Sequence, residues 1–165
     1  MMFEIFEAID SPIHGFLSLM NNNFLFLFFL SITYSLIPVI LLTSFYYFMK
    51  NKKVIAITLL LGFLFVFLSM DFLKDVFERP RPPNDLEKGY SFPSTHAGIA
   101  LFLAHFVSRN ENDRKVKISL YTYAGLVSFS RLYLGVHYFT DVIFGAILGV
   151  IFAEVFLKIM KVYKG

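Results

Sequence analysis

The sequence predicts an all-α integral membrane bundle of about five transmembrane helices, preceded by an N-terminal amphipathic helix, in one domain over residues 1–165. Three observations predict it. Of the 165 residues 57% are hydrophobic, 22 are phenylalanine and only 16% are charged. A soluble core of this size cannot hide so many large apolar side chains, so part of the solvent must be lipid. Uncharged runs long enough to cross a bilayer alternate with short basic turns. Length suits one domain rather than two. Cysteine is absent, which excludes disulfides and thiolate chemistry and leaves the redox compartment open.

The elements follow in order. The first 49 residues hold no Lys or Arg but carry Glu4, Glu7 and Asp10, so no signal peptide is expected there. Met2 to Met20 reads as an amphipathic helix, with Phe3, Phe6, Ile9, Ile13 and Phe16 or Leu17 on one side. This segment, within residues 1–20, is expected in the interface or tucked against a bundle formed by residues 24–161. Asn21-Asn22-Asn23 breaks the pattern. Phe24 to Met49 is one long span with Pro38 as its kink, closed by Lys50, Lys52 and Lys53. Val54 to Met70, extended to about Phe72, is the second span. Lys74 to Phe92 is rich in Pro, Arg and Asp and reads as a loop outside the hydrocarbon. A third helix runs from near Ser94 to Ser108, short for a full crossing at ~1.5 Å per residue, which suits a site recessed below the surface. A charged turn, Arg109 to Lys117, precedes a fourth span over about Ile118 to Arg131, and the fifth covers Tyr138 to about Met160.

Charge placement orients the bundle. Lys50, Lys52, Lys53, Arg109, Arg114, Lys115, Lys117, Lys158, Lys161 and Lys164 fall on one side of a five-span arrangement, which the positive-inside rule assigns to the cytoplasm. Lys74, Arg79, Arg81, Lys88 and Arg131 fall on the other, with His96 and His137. A bacterial inner membrane with the site facing the periplasm or exterior is the expected setting. The net charge of +3 is compatible with an anionic partner, though the location of the charges says more than their sum; membrane lipids are expected as partners and nucleic acid is not.

Three clusters meet on that outer face. Lys74 is followed after six residues by Arg81-Pro82; Pro93-Ser94-Thr95-His96 opens the third helix; Ser130-Arg131 is followed after five residues by His137 and after three more by Asp141. Ionisable groups at the edge of lipid mark a functional site by default. On a helix His137 and Asp141 are i,i+4 neighbours, so the carboxylate can hold one imidazole nitrogen and leave the other for a substrate. The plainer alternative is a polar pair anchoring a helix end at the interface. Together the clusters offer three fixed cations, a hydroxyl, helix-start amides and two imidazoles, a set suited to holding and transferring a tetrahedral oxyanion.

In this order and spacing the clusters resemble the signature of the type 2 phosphatidic acid phosphatase superfamily, the lipid phosphate phosphatases, over about residues 74 to 141. The resemblance implies a metal-independent membrane phosphatase with no cofactor, acting on a lipid phosphate. His137 would be the nucleophile that forms a phosphohistidine, Asp141 its orienting carboxylate, and His96 the general acid and later the base. Lys74, Arg81, Ser94, Thr95 and Arg131 would bind the phosphoryl group, the cations supplying the charge that Mg²⁺ supplies in kinases. Thr95 departs from the glycine often found there, which puts an amide contact from residue 95 in doubt. Candidate substrates are undecaprenyl diphosphate, lipid A phosphates and phosphatidylglycerol phosphate, with a lean towards envelope lipids of the isoprenyl or lipid A type.

Other residues carry weaker signals. Arg79 competes with Arg81 as phosphate ligand because Arg-Pro occurs twice, and the six-residue gap from Lys74 favours Arg81. Asp71 and Asp75 are expected to tune Lys74, His105 to be packed or interfacial, and His14 to have no chemical role. Glu154 is expected to pair with Lys158. Gly145 and Gly149 suggest either dimerisation or internal close packing, with the second favoured because they continue the His137 and Asp141 stripe. A lipid or anion transporter and a vanadate-dependent haloperoxidase-like enzyme are the competing functions. Oligomeric state is not readable from the sequence.

Overall fold

The computed structural model describes residues 2–20, 22–84 and 86–162; Asn21 of the expected break and Lys164 of the basic tail lie outside them. Among the described residues seven helices follow one another: α1 (Met2–Ser18), α2 (Asn23–Tyr34), α3 (Leu36–Met49), α4 (Lys53–Phe77), α5 (Thr95–Asn110), α6 (Arg114–Tyr133) and α7 (Phe139–Val162). α2 and α3 run on as one rod, so five rods and the N-terminal helix make up the bundle. Three rods, Asn23–Met49, Lys53–Phe77 and Phe139–Val162, are long and apolar enough to cross a membrane.

Local chemistry sets the ends. The Asn22 side chain accepts hydrogen bonds from the Phe24 and Leu25 amides at 2.9 and 3.1 Å and starts α2. The helix is interrupted at Ser35, three residues before Pro38, because proline has no N–H to offer the Tyr34 carbonyl and its ring crowds that carbonyl. At the far end Lys50, Lys52 and Lys53 lie 5.7–5.9 Å over the rings of Tyr46, Tyr47 and Phe48, lysines snorkelling past an aromatic belt.

Two boundaries differ from expectation. Lys74 belongs to the last turn of α4, not to the loop: a cation there is favoured by the helix dipole, and the helix stops only at left-handed Glu78 (φ 47°), two residues before Pro80. α6 starts at Arg114, four residues before the predicted Ile118, because Asp113 accepts a 2.7 Å hydrogen bond from the Lys115 amide and caps it.

α5 lies at the centre, packed by α4, α6 and α7. Its small residues Ala97, Gly98, Ala100 and Ala104 are buried and admit its neighbours closely. A Cβ at Gly145 would collide with the Ser94 carbonyl, and one at Gly149 with the Gly98 carbonyl. The Gly145/Gly149 pair therefore serves internal packing of α7 on α5, the favoured reading. Outward-facing Leu42, Phe45, Leu61, Leu64, Ile147 and Ile151 are exposed and form the apolar surface that lipid covers.

Gly149→Ala is expected to destabilise the bundle by about 2 kcal/mol or more, since the obstacle is backbone that cannot swing aside. Gly125→Ala in α6, where the new Cβ meets nothing within 4 Å, is expected to be neutral or stabilising. Thermal unfolding of both variants in detergent checks the contrast.

Candidate active site

The predicted residues come together where the ends of α4 and α6 meet the starts of α5 and α7. The contact between α5 and α7 is direct, with the Ser94 amide donating to the Asp141 carbonyl at 3.0 Å. His137 is presented by the turn between α6 and α7. Gly135 takes a left-handed φ of 66°, and the Val136 and His137 amides both donate to the Arg131 carbonyl at 3.3 Å. That turn ties His137 to Arg131 through the backbone.

His137 is 2% exposed. Its Nε2 lies 3.2 Å from Arg81 Nη1, and because a guanidinium only donates, Nε2 must be the acceptor and the ring proton sits on Nδ1. Nδ1 in turn lies 3.6 Å from Asp141 Oδ2, close for charge but longer than a hydrogen bond. Burial, reinforced by the charges of Arg131 and Arg81, pushes the His137 imidazole well below its ordinary pKa.

Asp141 is fully buried, and its Oδ2 accepts from the Tyr138 amide at 2.9 Å. Its Oδ1 pairs with Arg79, whose guanidinium also donates to Thr140 Oγ1 at 2.8 Å and to Asp10 Oδ2 at 2.6 Å. The same guanidinium lies 4.3 Å from the Tyr138 ring centre and 5.0 and 5.7 Å from those of Phe3 and Phe6. Arg79 is thus engaged by two carboxylates and three rings, whereas Arg81 borders the imidazole.

Glu87 joins the two remaining arginines. It pairs with Arg131 through Oε1 and with Arg81 through Oε2 at 3.0 Å. Burial opposes its ionisation, but Arg131 and then Arg81 outweigh burial and hold the carboxyl below the usual range. Arg131 is 1% exposed and reaches Thr33 Oγ1 of α2 at 3.3 Å. Lys74 and His96 lie within electrostatic range of this group, each feeling Arg131 and Glu87. Ser94 Oγ, Thr95 Oγ1 and Arg131 Nε are buried without a hydrogen-bond partner in the protein, free donors that an oxyanion would satisfy, and His137 Nδ1 likewise makes no hydrogen bond but faces Asp141. Thr95 is the first helical residue of α5 and does not take a positive φ, so its Cβ is accommodated where a glycine was expected.

Sequence reasoning missed Asp10 and Glu87. Asp10 falls on the same stripe of α1 as Phe3, Phe6 and Ile13, and a carboxylate on an apolar stripe is the signal that marks it. Glu87 sits in an irregular loop and has no such signal. Glu154 takes His105 as its hydrogen-bond partner, Oε1 to Nε2 at 2.6 Å, with Arg109 at 3.8 Å, in place of the expected Lys158. His105 spans to it from α5, which chain spacing does not reveal. His14 packs beside Tyr138, ring centres 6.1 Å apart.

Residues 52–164 match the PAP2 superfamily. A lipid A 4'-phosphatase of Bacteroides thetaiotaomicron is 34% identical over 70% of this chain and 57% of its own length. Phosphatidylglycerophosphatase B of Bacillus subtilis is 40% identical over 48% of this chain and 45% of its own length. The chain thus spans about half the length of these curated relatives. Among solved structures, a transmembrane PAP2 type phosphatidylglycerolphosphate phosphatase from Bacillus subtilis superposes with a TM-score of 0.81 at 28% identity, covering 95% of this chain and 87% of that one. Aquifex aeolicus LpxE superposes with a TM-score of 0.70, also at 28% identity, covering 94% of each chain. A helical membrane bundle shared along nearly its whole length, and a family match over more than half of its residues, place the chain in the PAP2 superfamily.

Proposed function

We propose that the chain is a membrane lipid phosphatase that removes a phosphate from a lipid through a phosphohistidine on His137. The observation that carries this reading is the contact between Arg81 Nη1 and His137 Nε2. It keeps the nucleophilic lone pair on Nε2, beside a guanidinium that can pass to a phosphoryl oxygen, with Asp141 behind the protonated Nδ1.

Nε2 attacks phosphorus and the bond from phosphorus to the lipid oxygen breaks, with His96 giving that oxygen its proton. Water then attacks the phosphohistidine, His96 takes its proton, and phosphate leaves with His137 restored. Lys74, Arg81 and Arg131 neutralise the phosphoryl oxygens, and the free hydroxyls of Ser94 and Thr95 supply further donors. The phosphoryl group competes with Glu87 for Arg81 and Arg131. The relatives' names support a lipid phosphate as substrate, and we favour an envelope lipid of the lipid A or isoprenyl type. Charge bias supports a site on the outer face of a bacterial inner membrane, with α1 lying at the interface.

Phosphate release from a panel of detergent-solubilised lipid phosphates, in EDTA, tests the mechanism. Wild type is expected to be active, and His137→Ala to lose activity by about 10,000-fold or more. Release by neither protein, with lipid binding retained, would bring a transport or binding role forward. Because His137 must be neutral to attack and its pKa is lowered, kcat/KM is expected to hold as pH falls past 6.5 and to decline only in more acid solution; an acid limb at or above 6.5 contradicts the assignment. Orientation is checked by single cysteines in this cysteine-free chain: one at Lys88 is expected to react with a membrane-impermeant thiol reagent in intact cells, and one at Lys50 to be protected.

A further inference from the structure

We propose that Asp10 of α1 is a positioning residue for His137, acting through Arg79, Thr140 and Asp141. The inference rests on the phosphohistidine reading above and extends it to the N-terminal helix, which lies outside the matched residues 52–164.

Asp10 is 1% exposed, deep for a carboxylate on a helix that otherwise borders solvent and lipid. Both of its oxygens are engaged by the start of α7 and by Arg79. Oδ1 accepts from the Thr140 amide at 2.9 Å; Oδ2 accepts from Thr140 Oγ1 and from Arg79 Nη2, each at 2.6 Å. The Thr140 amide is one of the first-turn donors of α7 that no residue within the helix can satisfy. Asp10 therefore caps, from another helix, the turn that carries Asp141.

The charge arrangement adds a second consequence. Arg79 is one cation between two buried carboxylates, Asp10 and Asp141. Phe3 and Phe6, also from α1, cover its guanidinium. With Asp10 ionised, Arg79 is shared, and Asp141 keeps negative charge to set against the positive charge that His137 gains as it bonds to phosphorus. With Asp10 neutral, Arg79 is drawn wholly to Asp141, and that support weakens in the transition state. Asp10 touches none of Lys74, Arg81 or Arg131, so binding of the phosphoryl group is left alone. The effect belongs in kcat, not in KM.

Steady-state kinetics of the full chain in detergent, on the lipid phosphate it hydrolyses best, tests this. Asp10→Asn is expected to lower kcat about 10- to 100-fold with KM within about twofold of wild type. Because Asp10 works through Arg79, the Asp10→Asn/Arg79→Gln double variant is expected to be no slower than Arg79→Gln alone. A folded Asp10→Asn protein with wild-type kcat, a change confined to KM, or losses that multiply in the double variant would each overturn the proposal. If Asp10→Asn does not fold, Thr140→Val removes the bridging hydroxyl without removing a charge; it should show the same split at smaller size, and wild-type kcat there also overturns it. His137→Ala separates the two layers: activity surviving in that variant sinks the phosphohistidine reading and this proposal together, whereas loss in that variant beside an unimpaired Asp10→Asn sinks this proposal alone.

Discussion

The approach of α7 to α5 at backbone distance is the constraint on which the site depends. Gly145 and Gly149 leave no side chain between the helices, and the Ser94 amide bonds the Asp141 carbonyl at 3.0 Å. Two sequence-distant clusters, Ser94-Thr95-His96 and His137 to Asp141, are thereby placed at one spot. Lipid tails offer no hydrophobic drive between helices, so small residues and close van der Waals packing hold such a contact. The site inherits its geometry from that packing.

Electrostatics works on top of this frame. Arg79, Arg81 and Arg131 are brought into an apolar bundle, and Asp10, Glu87 and Asp141 accompany them. Buried ion pairs are poor sources of stability, because desolvation offsets their attraction, but losing one partner is costly. Their use here is positional. Asp10 and Asp141 hold Arg79 behind the carboxylate that faces the imidazole, while Glu87 holds Arg81 and Arg131 together. In a low-dielectric setting fixed guanidiniums act on a phosphoryl group more strongly than they would in water.

Where the sequence could be read and where it could not follows the range of the interactions. The cation clusters, His96, His137 and Asp141 were visible because each sits at a fixed chain spacing from a helix end. Both Arg79 and Arg81 precede proline, and the six-residue gap from Lys74 favours Arg81; the two carboxylates around Arg79 and the imidazole beside Arg81 show how differently the fold uses them. Glu87 was invisible because an irregular loop carries no periodic signal. The charge and proline content around Lys74 read as a loop, whereas a cation equally suits the last turn of a helix, where Lys74 stands.

The sequence by itself determined the helical membrane bundle, its approximate spans, the side on which its basic residues gather and the three clusters, because hydropathy, period and local charge are properties of short stretches of chain. Tertiary structure alone decided that Asp10 of α1 reaches Arg79 and Thr140, that Glu87 bridges Arg81 and Arg131, and that Glu154 pairs with His105. Apart from Glu87 and Arg81, which share one loop, those partners lie 44 to 130 residues apart along the chain. Bringing them together is the outcome of packing the whole bundle, and no local pattern encodes it.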